Sequence, residues 1–314
     1  MKNSKQIPRL RILCMLRSES VGYSNLEPKI MTQHDQIPKT VDLKKFIASK
    51  SPKLARFLPK FVYNWLNKLL HVDQVNEFLH INRDYQGVDF ATQIIKSFNP
   101  ALTTVGAENI TPDGRFLVAA NHPLGGLDGV ALISTVGQIR PDVLFPVNDI
   151  LTLLVNLQSV FVGINKYGEN SSNTKSLTDA FAGESVILFF PAGLCSRRQK
   201  GGKICDLDWK STVITQARKN QRDIIPTYID ARNSNRFYNW AYWRKKLGIK
   251  VNVEQLFLVD EMYNFDGKPI KIIFGKSIPY STFDKRFNDR KWAALLKLHV
   301  YDLKSNPEKT FEFV

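Results

Sequence analysis

From Val41 to Phe98 apolar residues recur at helical spacing: Leu43, Phe46 and Ile47, then Leu54, Phe57 and Leu58, then Phe61, Val62, Trp65, Leu69 and Leu70. Lys44, Lys45, Lys50, Lys53, Arg56, Lys60 and Lys68 fall between them, so the stretch predicts amphipathic helices with cations along their polar faces. Such helices suit two settings. They lie in a membrane interface, aromatics down and cations toward the headgroups, or they form a layer packed on a protein core. The pattern alone serves both.

Beyond Ala101 the period changes, and short apolar runs alternate with helical ones. Strands are predicted at Phe116–Ala120, Val143–Val147, Val160–Ile164, Val186–Phe190, Ile224–Ile229 and Ile270–Phe274. Helical runs fall between them at Gly129–Gly137, Leu151–Leu157, Thr174–Ala182 and Thr212–Lys219, and a basic closing helix is expected over Asp284–Tyr301. This alternation predicts an α/β fold with a mostly parallel central sheet flanked by helices, preceded by the basic helical layer. Three parts follow: residues 1–38 as a disordered basic arm, with Met31 a second candidate start; 39–100 as the membrane-facing helical segment; and 101–314 as the α/β domain. No internal repeat or low-complexity block is visible.

Composition narrows the class of partner. The net charge of +15 implies an anionic one: nucleic acid, an anionic bilayer surface or an acidic carrier protein. No zinc-finger spacing, basic zipper or RNA-binding aromatic signature accompanies the charge, so nucleic acid is not expected. Cys14, Cys195 and Cys205 are odd in number and lack metal spacing, which fits a reducing compartment. No run reaches about 18 uninterrupted apolar residues, and the basic N-terminal arm lacks the apolar core of a secretory signal.

Candidate chemistry gathers at strand ends, where open α/β sheets place it. Phe116–Ala120 runs into Asn121-His122-Pro123-Leu124-Gly125-Gly126-Leu127-Asp128-Gly129. A neutral imidazole can take a proton from an attacking alcohol, and a carboxylate on its other nitrogen holds the tautomer and stabilises the imidazolium. His122 is the candidate base and Asp128 its partner. Asp128 also reads as the N-cap of the following helix, and the two roles are compatible because a carboxylate has two oxygens. On one regular helix the two side chains would point apart, so their meeting requires an irregular loop. Pro123 with Gly125 and Gly126 supplies one.

The second block follows Val186–Phe190 as Pro191-Ala192-Gly193-Leu194-Cys195-Ser196-Arg197-Arg198. Gly193 allows close backbone approach, so its N–H is a candidate oxyanion donor, and the arginines can pair with phosphate or carboxylate. An ordinary turn followed by a solvated basic patch explains the same residues. There is no GxSxG elbow, so Ser196 and Cys195 lack a recognised setting for a nucleophile.

In order and separation these blocks resemble those of the glycerophosphate and lysophosphatidic acid acyltransferase superfamily over residues 101–280. That family carries an Asn-His-(four residues)-Asp block, a later Phe-Pro-Glu-Gly block and a Pro-containing strand beyond it, resembled here by Ile225-Pro226-Thr227-Tyr228-Ile229 leading into Asp230-Ala231-Arg232-Asn233. The chain looks closest to the bacterial hemolysin-like and aminolipid (ornithine- or glycine-lipid) O-acyltransferase branch. The resemblance implies acyl transfer from acyl carrier protein or acyl-CoA to a lyso-lipid hydroxyl, with His122 as base and Asp128 as partner. It implies no cofactor and no metal, and a peripheral location on the cytoplasmic face of the bacterial inner membrane. Substrate contacts are expected from Asn121, Gly125, Gly126, Lys166, Pro191, Gly193, Ser196 and Arg197. Lys166 stands where the family usually places an arginine, keeping the cation without the bidentate fork. Two departures are visible: five residues, not four, separate His122 from Asp128, and Ala192 replaces the family's glutamate. A phosphate-bearing acceptor is therefore the second expectation, behind a lyso-aminolipid. A lipid-binding module without turnover is the third.

Overall fold

The computed structural model describes residues 40–147, 154–163, 177–249 and 252–313. Five helices come first: α1 Leu43–Lys50, α2 Pro52–Phe57, α3 Lys60–Leu69, α4 Val72–Ile81 and α5 Gly87–Phe98. The core-layer setting holds for two of them. α4 buries Val72, Asn76 and Leu79, and α5 buries Phe90, Ala91 and Ile94, so these two form a core layer. α2 and α3 bury no residue, and Phe57, Phe61 and Trp65 stand exposed.

The α/β part contains strands β1 Ala101–Val105, β2 Phe116–Ala120, β3 Val143–Val147, β4 Phe161–Gly163, β5 Val186–Phe189, β6 Arg197–Arg198, β7 Ile204–Cys205, β8 Asp223–Asp230 and β9 Pro269–Phe274. Helices α6 Gly126–Gly137, α7 Leu177–Ala182, α8 Thr212–Lys219, α9 Asn235–Lys246, α10 Leu258–Tyr263 and α11 Asp289–Asp302 connect or close them. Seven strands form one sheet in the order β1-β9-β8-β2-β5-β3-β4. Every neighbouring pair is parallel except β8 with β9, so the sheet is mostly parallel, as the alternation predicted.

β2 lies between β8 and β5 and is buried along its whole length, which is why it reads as an unbroken apolar run. Its side chains alternate between two layers. Val118 and Ala120 join Phe90, Ile94, Leu127 and Ile133 of α5 and α6, whereas Leu117 and Ala119 join Phe181, Val213, Ile214, Trp292 and Leu296 of α7, α8 and α11. Each face buries a full apolar layer, fixing β2 and the loop after it. On the first face α5 and α6 approach closely at Gly137, where a Cβ would meet Val88 at 2.5 Å.

The structure adds β1, which pairs only with β9; its Thr103 and Thr104 are exposed, so it lacks the apolar run that marks a central strand. α9 and α10 were also unmarked by an apolar period. The closing helix begins at Asp289, five residues later than expected, because Asn288 caps it by accepting the Lys291 N–H at 2.9 Å. Of the run Leu151–Leu157 the described part is a single 3₁₀ turn, Val155–Leu157; residues 151–153, 164 and 174–176 lie outside the described residues.

Candidate active site

At the end of β2 the chain leaves the sheet through Asn121 and His122. Asn121 is buried, and both ends of its amide are committed: Nδ2 donates to the Ile229 carbonyl at 3.0 Å and Oδ1 accepts the Ile229 N–H at 2.6 Å. It fastens the strand end to β8 instead of facing a substrate. The loop His122–Gly125 then turns into α6, with Gly125 at φ +90°, a conformation open to glycine. Leu258 fills the space beside it, 2.8 Å from where a Cβ would stand, and Met262 Sδ lies 3.1 Å from the same position on Gly126. Both glycines are therefore packed against α10.

Asp128 is fully buried at the third position of α6, with the cap at Gly125. Its Oδ2 accepts the Leu124 N–H at 2.8 Å and the Gly125 N–H at 3.3 Å, and Oδ1 accepts the Gly129 N–H at 2.8 Å. These donors compensate a charge that would otherwise be costly to bury. Both oxygens also lie 3.1 Å from His122 Nδ1. An ionised carboxylate only accepts, so Nδ1 carries the proton and Nε2 presents a lone pair. The carboxylate satisfies the helix start and the imidazole together, although from within the helix and not from the N-cap.

His122 Nε2 has no hydrogen-bond partner among the described residues, and the side chain keeps 16% of its surface accessible. The ring stacks on Phe190, with centroids 4.0 Å apart and planes 19° from parallel. Phe190 was read as the last residue of a strand, but β5 ends at Phe189 and Phe190 leaves it to cover the imidazole. Phe145 packs edge-on against Phe190, and a Cβ on Gly129 would stand 3.1 Å from the Phe145 ring. The imidazole thus sits against an aromatic wall.

The second block supports this loop from behind. The Ser196 N–H donates to the His122 carbonyl at 2.6 Å, and the Ser196 hydroxyl donates to Asp206 Oδ1, also at 2.6 Å. The hydroxyl is committed to this buried carboxylate, which also holds the His122 N–H. Burial pushes the Cys195 thiol up to about 11, so it is not a thiolate at neutral pH. Arg197, expected on the acceptor, points inward: Nη1 donates to the Cys195 carbonyl at 2.6 Å, Nη2 pairs with Glu254 at 3.0 Å, and the guanidinium lies over the Phe237 ring. Gly193, at φ +69°, donates its N–H to the Phe190 carbonyl at 3.0 Å, so this amide is spent on a turn and is not a free oxyanion donor. The Pro191 carbonyl accepts the Lys210 N–H, and Ala192 is buried in the apolar layer of the second face. Lys166 lies outside the described residues.

Three further residues complete the arrangement, of which Asn233 belongs to the stretch Asp230–Tyr238 that follows the Pro226 strand. Asp206 Oδ1 accepts the His122 N–H at 3.2 Å, while its Oδ2 accepts the Trp209 indole N–H at 2.9 Å. Burial pushes its carboxyl upward, opposed by the donors from Ser196, Trp209 and His122. Asn233 donates to the Pro123 and Leu124 carbonyls, each at 3.3 Å, and so grips the His122–Gly125 loop from the segment after β8. Glu254, fully buried, lies between Arg197 and Arg244 at 3.0 and 2.7 Å. Among the described residues no cluster of His, Cys, Asp or Glu could hold a metal ion.

This geometry can be set beside known proteins. Residues 45–308 match the family model described as Acyltransferase. The chain is 40% identical over 265 residues to a lyso-glycine lipid O-acyltransferase of Bacteroides thetaiotaomicron, covering 84% of this chain and 97% of the relative. It is 38% identical over 280 residues to a lyso-glycine lipid O-acyltransferase of Phocaeicola vulgatus, covering 88% and 100%. A solved structure, the 1-acyl-sn-glycerophosphate (LPA) acyltransferase PlsC from Thermotoga maritima, aligns with a TM-score of 0.43 at 15% identity, covering 85% of this chain and 95% of that one.

Proposed function

Because the chain belongs to the Acyltransferase family, whose model spans residues 45–308, we propose that it moves a fatty acyl group from a thioester to the hydroxyl of a lyso-glycine lipid by general-base catalysis. The observation that carries the mechanism is the contact of Asp128 with His122 Nδ1, which leaves Nε2 unpartnered among the described residues at an aromatic wall. The acceptor hydroxyl gives its proton to Nε2 as its oxygen attacks the thioester carbonyl. Asp128 stabilises the imidazolium, and the tetrahedral intermediate collapses with the thiolate leaving. The imidazolium returns the proton to the sulfur, so the base is regenerated. General-base help of this kind contributes about 10²–10⁴-fold.

The acceptor class is supported by two relatives named for lyso-glycine lipid and by Ala192, where a superfamily glutamate would stand. The donor is acyl carrier protein or acyl-CoA, both anionic and suited to a chain of net charge +15. The chain works without a cofactor as a peripheral protein on the cytoplasmic face of the inner membrane. No helix among the described residues is long and apolar enough to cross a membrane.

The test is acyl transfer by the purified full chain in liposomes, with labelled acyl-CoA and acyl carrier protein as donors. Lyso-glycine lipid, lyso-ornithine lipid and lysophosphatidic acid are offered as acceptors to wild type and to H122A. Product from wild type alone, greatest with lyso-glycine lipid, is expected. Preference for lysophosphatidic acid would replace the acceptor. Equal background from both proteins with every pair would leave a lipid-binding module.

A further inference from the structure

α9 carries a stripe that neither the sheet nor the candidate site uses. Phe237, Tyr238 and Ala241 face the protein and are buried. Trp240, Trp243 and Leu247 follow at spacings of three and four and are 51%, 52% and 71% exposed, although one face of Trp240 stacks on Phe257 at 5.6 Å. Neither indole N–H has a hydrogen-bond partner among the described residues, and Lys246 lies over the Trp243 ring at 5.0 Å. Lys245 and Lys246 make no ion pair with a described residue, whereas Arg236 and Arg244 are committed to acidic partners. Tryptophans beside unpaired lysines are the residues that settle at the headgroup level of a bilayer, where the ring is buried and the polar edge stays wet.

Two ties run from this helix to the catalytic loop. Ser234 caps α9 by accepting the Phe237 N–H, and its neighbour Asn233 holds the Pro123 and Leu124 carbonyls. At the other end, Arg244 shares the buried Glu254 with Arg197. α10 joins a second exposed aromatic segment to the same place: Asp260 receives Arg236 of α9 on one oxygen and His71, which follows α3, on the other. The same helix supplies the side chains that pack on Gly125 and Gly126.

We propose that α9 seats the enzyme on an anionic bilayer, inserting Trp240, Trp243 and Leu247 at the headgroup level beside the catalytic loop. A second copy of the chain is the poorer occupant, because it would bring two lysine-flanked stripes of like charge together. The inference builds on the membrane association proposed above but not on acyl transfer. H122A therefore binds vesicles as wild type does, and loss of seating is read separately from loss of turnover.

The experiment uses the full chain and vesicles of phosphatidylglycerol or phosphatidylcholine, with and without lipids brominated near the headgroup end of the acyl chain. Trp209 and Trp292 are buried, so W65F leaves Trp240 and Trp243 as the exposed tryptophans. Brominated phosphatidylglycerol is expected to quench the W65F protein, and the quenching is expected to disappear in W65F/W240F/W243F. W240A/W243A/L247A should partition about tenfold less, or weaker still, in a chain that circular dichroism shows folded at the assay temperature. Vesicle binding by the W65F protein without quenching would overturn the proposal, as would no binding at all. A dimer, or a complex with acyl carrier protein, that only the triple variant abolishes while vesicle binding stays intact would reassign the stripe to that protein.

Discussion

Asp206 holds His122 through the backbone: its Oδ1 accepts the His122 N–H at 3.2 Å from 84 positions further along the chain. The same oxygen accepts the Ser196 hydroxyl, and Ser196 returns its own N–H to the His122 carbonyl at 2.6 Å. His122 is thus fixed on both sides of its peptide by one small ring of hydrogen bonds. Its ring is fixed independently, by Asp128 on one edge and Phe190 on one face.

D206N tests the backbone ring. The amide group of the variant must turn its NH₂ toward either the Trp209 indole N–H or the Ser196 and His122 donors, leaving a buried donor unpaired. A stability loss of about 1–3 kcal/mol is expected in urea unfolding. Turnover should fall by roughly tenfold with KM little changed, as for a positioning residue whose loss misplaces the base. Equal turnover at equal stability would show that the His122 peptide needs no such support.

D128N tests the carboxylate. Four donors surround Asp128, three from the backbone and one from His122 Nδ1, and an amide cannot accept from all of them. Losing the Nδ1–H tautomer removes the lone pair from Nε2. Turnover should drop about 10²–10⁴-fold, near the loss in H122A, and thermal unfolding should shift down. Wild-type turnover in D128N would exclude the orienting role.

G125A tests the loop. The backbone there is at φ +90°, and the added methyl meets Leu258 at 2.8 Å. About 1–3 kcal/mol of destabilisation is expected from the backbone conformation alone. Adding L258A should relieve only the contact, so the double variant recovers part of the melting temperature and not all of it. Full recovery would mean that the loop tolerates an ordinary residue.

His299 gives a pH signature away from the site. It is buried on α11 against Phe311, neither ring nitrogen has a hydrogen-bond partner among the described residues, and burial pushes its pKa down to about 4. The unfolded chain takes up this proton near the ordinary value of about 6.5, ahead of the folded one. The contribution of His299 is therefore complete above about 6.5 and is lost as pH falls toward the folded value of about 4. H299L should flatten the fall in melting temperature across that window. An unchanged slope would assign it to other groups.

How much was readable beforehand follows the length of chain each feature spans. His122 and Asp128 belong to one strand, loop and helix start, six positions apart, so their meeting was implied by an apolar run followed by Pro123 and a glycine pair. Asn121 and Arg197 have chemistry that suits a substrate, yet both face inward, because Ile229 and Glu254 arrive from distant segments to pair with them. Asp206 and Glu254 carried no pattern at all, and Asn233 lay only in a weak stretch after the strand Ile224–Ile229. Each became recognisable only through the strand or helix packed beside it.

Local order along the chain thus settles the alternation of strands and helices, the mostly parallel sheet and the pairing of a histidine with a carboxylate after β2. The three-dimensional fold decides which polar groups remain open to a substrate. Apolar periodicity is a property of neighbouring residues, since it reflects which side chains share a face. A polar group's availability depends on every donor and acceptor that the completed fold brings within about 3 Å of it, and those come from anywhere in the chain.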